Sequence, residues 1–199
     1  MRLYLARHGD TGAIERYYGS TDIPLSPRGK EQAERLRDRL SGERIALVYS
    51  SDLQRALHTA RVVASPHGQE PLPCPELREV DFGEYEGLTF SEIAQRDPQA
   101  HLSWRASGYR FPGGGSLGEV GQRVLAFSAR LGAEKRGEGV LVVAHSGPLR
   151  WLLCHLLGLG PEGWWHIRPA PASLSLLDLK PRGTALLLLN DTRHLKDGP

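Results

Sequence analysis

Cysteine is nearly absent from this chain. Cys74 and Cys154 are the only two among 199 residues, with no CxxC pair and no zinc-ribbon spacing. A disulfide framework and a thiolate metal site are thereby excluded. Lysine is almost as scarce, four against 21 arginines. Most of those arginines read as a compositional habit; guanidinium recognition of anions concerns only the ones at special places. The net charge is only +2, so no broad positive field invites nucleic acid or a membrane surface. No run approaches the roughly 18 apolar residues of a bilayer span. The opening apolar run is soon broken by Arg7, so no secretory signal is expected. A soluble cytoplasmic protein is the expectation. Internal repeats and composition shifts are also missing, which points to a single domain over residues 1–199.

What the chain does have is apolar residues at 40% and charged residues at 24%, enough for a sizeable core. Their periodicity predicts alternating elements. Leu3 to Ala6 reads as a strand. Ser26 caps a helix whose first residue is Pro27, and Gly42 ends it. Ile45 to Tyr49 is a second strand, followed by a helix capped by Ser51 or Asp52. Thr89-x-x-Glu92 and Ser116-x-x-Glu119 are capping boxes. The second opens a helix with Leu117, Val120, Val124, Phe127 and Leu131 on one face. Gly139 to Ala144 is a wholly apolar strand. An apolar helix from Pro148 to Leu157 and two strands, Ser173 to Leu179 and Ala185 to Leu189, close the chain. Strands without polar alternation, separated by helices, predict an α/β three-layer sandwich: a mostly parallel central sheet with helices on both faces. The irregular stretch 71–115 is expected to form a cap or rim over one end.

In such sheets ligands bind beyond the carboxyl ends of the strands. Arg7, His8 and Gly9 follow the first strand. Ser50, Ser51 and, one turn on, Arg55 follow the second. His145, Ser146 and Gly147 follow the third. Two imidazoles and two guanidiniums at equivalent strand ends suit a phosphate dianion, because guanidinium forks match phosphate oxygens. Glycines and helix starts add backbone N–H donors, and an imidazole can accept a phosphoryl group. Cations around His8 would keep it neutral, with a lone pair for attack. A proton donor is also needed. Glu79, Asp81, Glu84 and Glu86 lie close together in sequence, and residue type alone does not select among them.

A resemblance does. Arg7-His8-Gly9-Asp10-Thr11 is similar to the RHG[ED]T signature of the histidine phosphatase superfamily, with its phosphoglycerate mutase-like fold. IPLSPRGKEQA, YSSDLQRALHTA, LREVDFGEYEG, PGGGSLGEVGQRV and VVAHSGPLR resemble the later blocks of that family in the same order, from Arg2 to about Leu157. The resemblance implies His8 as nucleophile, Glu79 as acid and base, and Arg7, Arg55 and His145 as phosphoryl ligands. It places Gly9, Thr11, Tyr18, Gly19 and Ser146 on the phosphate or substrate side. It implies no metal and no cofactor, and a small-molecule phosphate ester as substrate. Smaller members of the family, α-ribazole phosphatase-like, phosphoserine phosphatase-like or sugar-phosphoglycerate phosphatase-like, are the nearest in kind.

Two alternatives stand beside a phosphomonoesterase. Mutases of the family usually carry a longer insertion between acid and second histidine, whereas 65 residues separate Glu79 from His145 here. A phospho-ligand binding protein would have no use for a proton donor. A homodimer is compatible with the sequence. Ile14 and Tyr18 stand where many members carry Asn and Gln; these departures leave hydrolysis as the expectation and weigh against inferring a phosphoglycerate-like substrate. His58 and His155 are expected to pack or face water, and His166 to follow a core or rim wall made by Trp164 and Trp165; His67, His101 and His194 attract no role. Gly113 to Gly115 follow no strand and read as a turn. Tyr17, Tyr18, Trp104, Tyr109 and Phe111 suit a substrate wall or a small satellite core equally well.

Overall fold

A computed structural model describes residues 1–104, 108–131 and 139–196. Six strands form one sheet: β1 (Arg2–Arg7), β2 (Ile45–Ser50), β3 (Leu72–Pro73), β4 (Gly139–Ala144), β5 (Leu174–Lys180) and β6 (Gly183–Asp191). Their order is β3-β2-β4-β1-β5-β6. The first four are mutually parallel; β5 runs antiparallel to both β1 and β6. Only Pro181 and Arg182 separate β5 from β6, too few residues for a crossover, so these two must form a hairpin.

Side chains alternate across the strands, and both faces are covered. Leu3, Leu5, Val140 and Val142 point into one core, shared with α5 (Leu117–Leu131) and α6 (Ser146–Leu157). Tyr4, Ala6, Leu141 and Val143 point into the other, shared with α1 (Pro27–Leu40) and α2 (Gln54–Ala64). This double burial is why β1 and β4 show no polar alternation. The expected α/β sandwich is the one observed.

Of the four helix starts that the sequence marks with a capping side chain, three follow that local chemistry. The Ser26 hydroxyl accepts from Gly29 N at 3.0 Å and caps α1. Thr89 and Glu92 complete the capping box of α3 (Phe90–Arg96). Ser116 and Glu119 cap α5 in the same reciprocal way. The exception is α2, expected to be capped by Ser51 or Asp52. Its N-cap is Leu53, without a side-chain cap of its own. Asp22 instead accepts from Gln54 N at 2.7 Å. A cap borrowed from a distant loop ties residues 19–22 to the helix that carries Arg55. The helix expected from Pro148 begins at Ser146, with His145 as its N-cap.

Between β3 and α5 the chain is mostly irregular. This stretch includes α3 and the short α4 (Ala100–Ser103); residues 105–107 of this expected rim, and the side chain of His101, lie outside the description. Arg110 bridges to Ser116 around the glycine turn, and Gly113 there takes a φ of +65° that suits glycine. Among the described residues no helix is long and apolar enough to cross a membrane.

Candidate active site

The parallel strands end at one level. Arg7 pairs with Ala144 and Ser50 with Val143. The ladder runs one residue further, since His8 N donates to Ala144 O and Ser51 N to Val143 O, each at 3.0 Å. His8, Ser51 and His145 are therefore set side by side by backbone hydrogen bonds. The two imidazole rings meet edge to face, 5.0 Å between centroids.

Each imidazole has its tautomer set by its partners. His8 Nδ1 lies 2.7 Å from Gly9 O. A carbonyl only accepts, so Nδ1 carries the proton and Nε2 keeps a lone pair. Arg55 Nε donates to His145 Nδ1 at 3.2 Å, while His145 Nε2 lies 2.8 Å from the Ser51 hydroxyl. In that arrangement His145 is neutral, with its proton on Nε2 and directed at Ser51.

Arg55 is 1% exposed. Its remaining donors reach Thr21 O at 2.9 Å and Gly19 O at 2.7 Å. Those two carbonyls are fixed by a single carboxylate: Glu86 accepts from Gly19, Ser20, Thr21 and Phe82 N–H groups. Glu86 therefore organises the loop that holds the arginine. Arg7 donates to Pro169 O at 2.9 Å, and its buried Nε has no partner.

Glu79 sits on the start of α6. Its carboxylate accepts from Gly147 N and Val80 N, both at 3.0 Å. A Cβ on Gly147 would stand 2.1 Å from the Glu79 oxygen, so glycine at this position is what lets the acid seat there. Glu79 lines a cavity of about 770 Å³ with Arg7, Ser146, Gly147 and Arg150. Tyr17, Tyr18, Phe82, Phe90, Trp104, Phe111, Trp164 and Trp165 form much of the remaining wall.

Residues 3–192 match the profile of the histidine phosphatase superfamily (branch 1). The chain belongs to that superfamily. It is 37% identical over 194 residues to the adenosylcobalamin/alpha-ribazole phosphatase of Escherichia coli (strain K12), covering 96% of each chain. It is 33% identical to phosphoserine phosphatase 1 of Hydrogenobacter thermophilus, over 98% of this chain and 94% of that one. Among solved structures, the alpha-ribazole phosphatase from Shigella flexneri superposes with a TM-score of 0.87 at 35% identity, over 96% of each chain. A mycobacterial glucosyl-3-phosphoglycerate phosphatase complexed with VO3 also gives 0.87, at 29% identity over 96% of this chain and 99% of that one. The site is thus that of a histidine phosphatase acting on a small phosphate ester.

The electrostatics of this phosphatase site follow from burial among cations. Burial first, and then the charges of Arg7 and Arg55, hold His8 well below the ordinary histidine pKa. Burial, the neighbouring His8 and the same arginines do likewise for His145. Burial also pulls the Arg7 and Arg55 pKa values down, opposed by Glu79. Among the described residues no group of three or more His, Cys, Asp or Glu side chains is gathered for a metal ion; fixed positive charge here comes from guanidinium groups.

The structure brings His8, Arg55 and His145 into one hydrogen-bonded and ring-stacked cluster, with Arg7 and Glu79 on the adjoining cavity wall. Tyr18 and Ser146 line the cavity; Gly9, Thr11 and Gly19 do not. The two glycines have a different task. Gly9 N donates to Thr59, and a Cβ there would lie 2.3 Å from Gly29 O. Gly19 N is held by Glu86, and a Cβ there would lie 1.7 Å from Val80 O. Their N–H groups are taken by protein, so close packing is what these positions demand. The sequence names Glu86 and Gly147 without these tasks and gives Arg150 no role. Arg150 lies four residues after Ser146, one turn up the same helix face, which is the signal that could have found it. The aromatic residues serve both packing and wall: Phe111 is 1% exposed and packs edge-on with Phe82, Trp104 and Tyr109, while the same cluster lines the cavity. The wall is the outer side of the core that β1 and β4 share with α5 and α6, rather than of a separate satellite core. His58, His155 and His166 face solvent.

Proposed function

We propose that this chain hydrolyses phosphomonoesters through a phosphohistidine on His8, with no metal in the reaction. The observation that carries this reading is the Gly9 carbonyl on His8 Nδ1. It leaves Nε2 unprotonated beside Arg7 and Arg55, whose charges also hold the ring neutral.

In the first step the Nε2 lone pair forms a bond to phosphorus as the bond to the ester oxygen breaks. Protonated Glu79 gives its proton to the departing alcohol. In the second step the Glu79 carboxylate takes a proton from water, the water oxygen bonds to phosphorus, and the N–P bond breaks. His8 is released neutral and phosphate leaves. Arg7 Nε, which lacks a protein partner, and the Arg55 fork stabilise charge on the transferring oxygens. Once a bound anion draws Arg55 Nε away, His145 joins them as the other tautomer: its proton moves to Nδ1, which donates to a phosphoryl oxygen, and Nε2 accepts from the Ser51 hydroxyl. Ser51 keeps a hydrogen bond on the far side of the ring throughout.

The alcohol faces a cavity of about 770 Å³ with aromatic walls, more than serine or glycerate would fill. The named relatives act on substrates from phosphoserine to alpha-ribazole and glucosyl-phosphoglycerate esters, and the cavity supports the larger ones. A substrate whose alcohol carries a ring is the reading for this chain.

The test is turnover of p-nitrophenyl phosphate in EDTA, followed by rapid quench. A phosphoryl group trapped on protein, stable in alkali, labile in acid and absent from His8→Ala, is expected. Full turnover in His8→Ala, or activity that EDTA abolishes, would overturn the mechanism.

A further inference from the structure

Arg150 is the cation in the cavity that the chemistry above leaves unused. It stands on α6, one turn beyond Ser146, and lines the cavity between the Glu79 end and the rim. Its guanidinium lies over the Trp164 ring, 4.4 Å from the centroid. Its Nε is buried without a hydrogen-bond partner. No carboxylate pairs with it among the described residues. It interacts electrostatically with Glu79, Arg7 and Arg168, and with Tyr17, which lines the same cavity. Arg168, also on the wall, is exposed and likewise lacks an ion pair among the described residues.

The other cations of the cavity are accounted for. Arg7 is tethered to Pro169 O and belongs to the phosphoryl end. Arg16 is held by Gly87 O and Glu92. Stacking on Trp164 covers one face of Arg150 and holds its plane. The N–H donors in that plane form the fork that matches two oxygens of one anion. A half-buried guanidinium without an acceptor is unfavourable, and a bound acceptor relieves it.

We infer that Arg150, backed by Trp164 and assisted by Arg168, forms a second anion subsite that selects alcohols bearing a carboxylate or a second phosphate. The inference rests on the phosphatase reading and narrows it. The preferred substrate carries two anionic ends: the ester phosphate on His8, and another oxyanion that reaches Arg150 on α6. Between them the aromatic wall receives the body of the molecule. A neutral nucleoside-like alcohol fills the wall but leaves Arg150 unsatisfied.

The experiment uses matched substrates with the same ester linkage. In 3-phosphoglycerate and glycerol 3-phosphate a carboxylate is replaced by a hydroxymethyl group. In fructose 1,6-bisphosphate and fructose 6-phosphate a second phosphate is replaced by a hydroxyl. The wild type should show kcat/KM at least about tenfold higher for the anionic member of one pair; which pair does so tells carboxylate from phosphate. Arg150→Met should collapse that ratio by about tenfold or more, Arg150→Lys by less, and Arg168→Met by about two- to threefold. Because the readout is a ratio within one enzyme preparation, partial misfolding of Arg150→Met does not affect it, and exposed Arg168 supplies an independent variant. No preference in the wild type for either anionic member, or a ratio unchanged in Arg150→Met, would overturn the subsite while leaving the phosphatase reading intact. Absence of turnover on p-nitrophenyl phosphate and on every member would instead sink the phosphatase reading.

Discussion

The strand-end cluster, where phosphoryl chemistry is proposed, and the aromatic cavity are built by different means. At the phosphoryl end, His8, Ser51 and His145 continue the β-ladder, and Arg55 is locked by Gly19, Thr21 and His145. Every group there is fixed by the sheet or by a helix capped from another segment. At the aromatic end, Tyr17, Phe82 and Trp104 come from connections between elements, held by edge-on ring contacts. Ring contacts are worth about 0.5–1.5 kcal/mol each and tolerate exchange. Charge-assisted hydrogen bonds in a buried cluster do not, since losing one partner leaves the other unsatisfied. One scaffold can thus hold its reaction constant while its choice of alcohol changes.

That contrast can be broken most severely at its centre. His8→Ala should lower kcat on p-nitrophenyl phosphate by about 10⁴-fold or more, because no other group supplies the nucleophile. Residual turnover above one per cent would show that the strand-end cluster is not where the chemistry occurs. Gly147→Ala comes next. The new Cβ meets the Glu79 carboxylate, so the acid must leave its seat on α6, and kcat should fall about 10²-fold for esters of poor leaving groups. Esters of p-nitrophenol, which need little protonation, should lose much less.

Glu86→Gln probes the link between the two ends. Four N–H groups would face an amide in place of a carboxylate. Thermal unfolding should reveal a loss of about 1–3 kcal/mol, and kcat/KM should drop about tenfold on all esters alike through Arg55. A loss confined to bulky esters would instead assign Glu86 to the aromatic end. The pH dependence of stability is a gentler probe. His8 and His145 have folded pKa values below the unfolded value, so the unfolded chain binds protons that the folded chain refuses. Their contribution is present above pH of about 6.5 and is lost as pH falls below it. The melting temperature should therefore decline from about pH 7 to pH 5, and less so in His145→Gln. The smallest effect belongs to the aromatic end: Tyr18→Leu should raise KM a few-fold for ring-bearing esters and leave thermal stability within about 1 kcal/mol.

Much of this was legible in residue order. Leu3–Ala6 and Gly139–Ala144 announce buried strands, and the strand ends then place Arg7, His8 and His145 at one edge by topology alone. Ser26, Thr89 and Ser116 mark helix starts because a cap is a short-range contact. The cap of α2 was not legible, since it comes from Asp22, 32 residues away in sequence. Glu86 stood in the quoted LREVDFGEYEG block but looked like any other carboxylate among Asp81 and Glu84. Only folding lays the backbone of residues 19–21 over it.

By itself the sequence determined the alternation of elements and the sheet edge at which Arg7, His8, Arg55 and His145 gather. Those depend on periodicity, capping and strand order, which are local. Tertiary structure alone decided which nitrogen of His8 is free, that Gly9 and Gly19 serve packing, that Glu79 rests on α6, and that Arg150 faces the cavity with no acceptor. Each of these is a contact between segments far apart along the chain, and its geometry exists only once the sheet has brought them together.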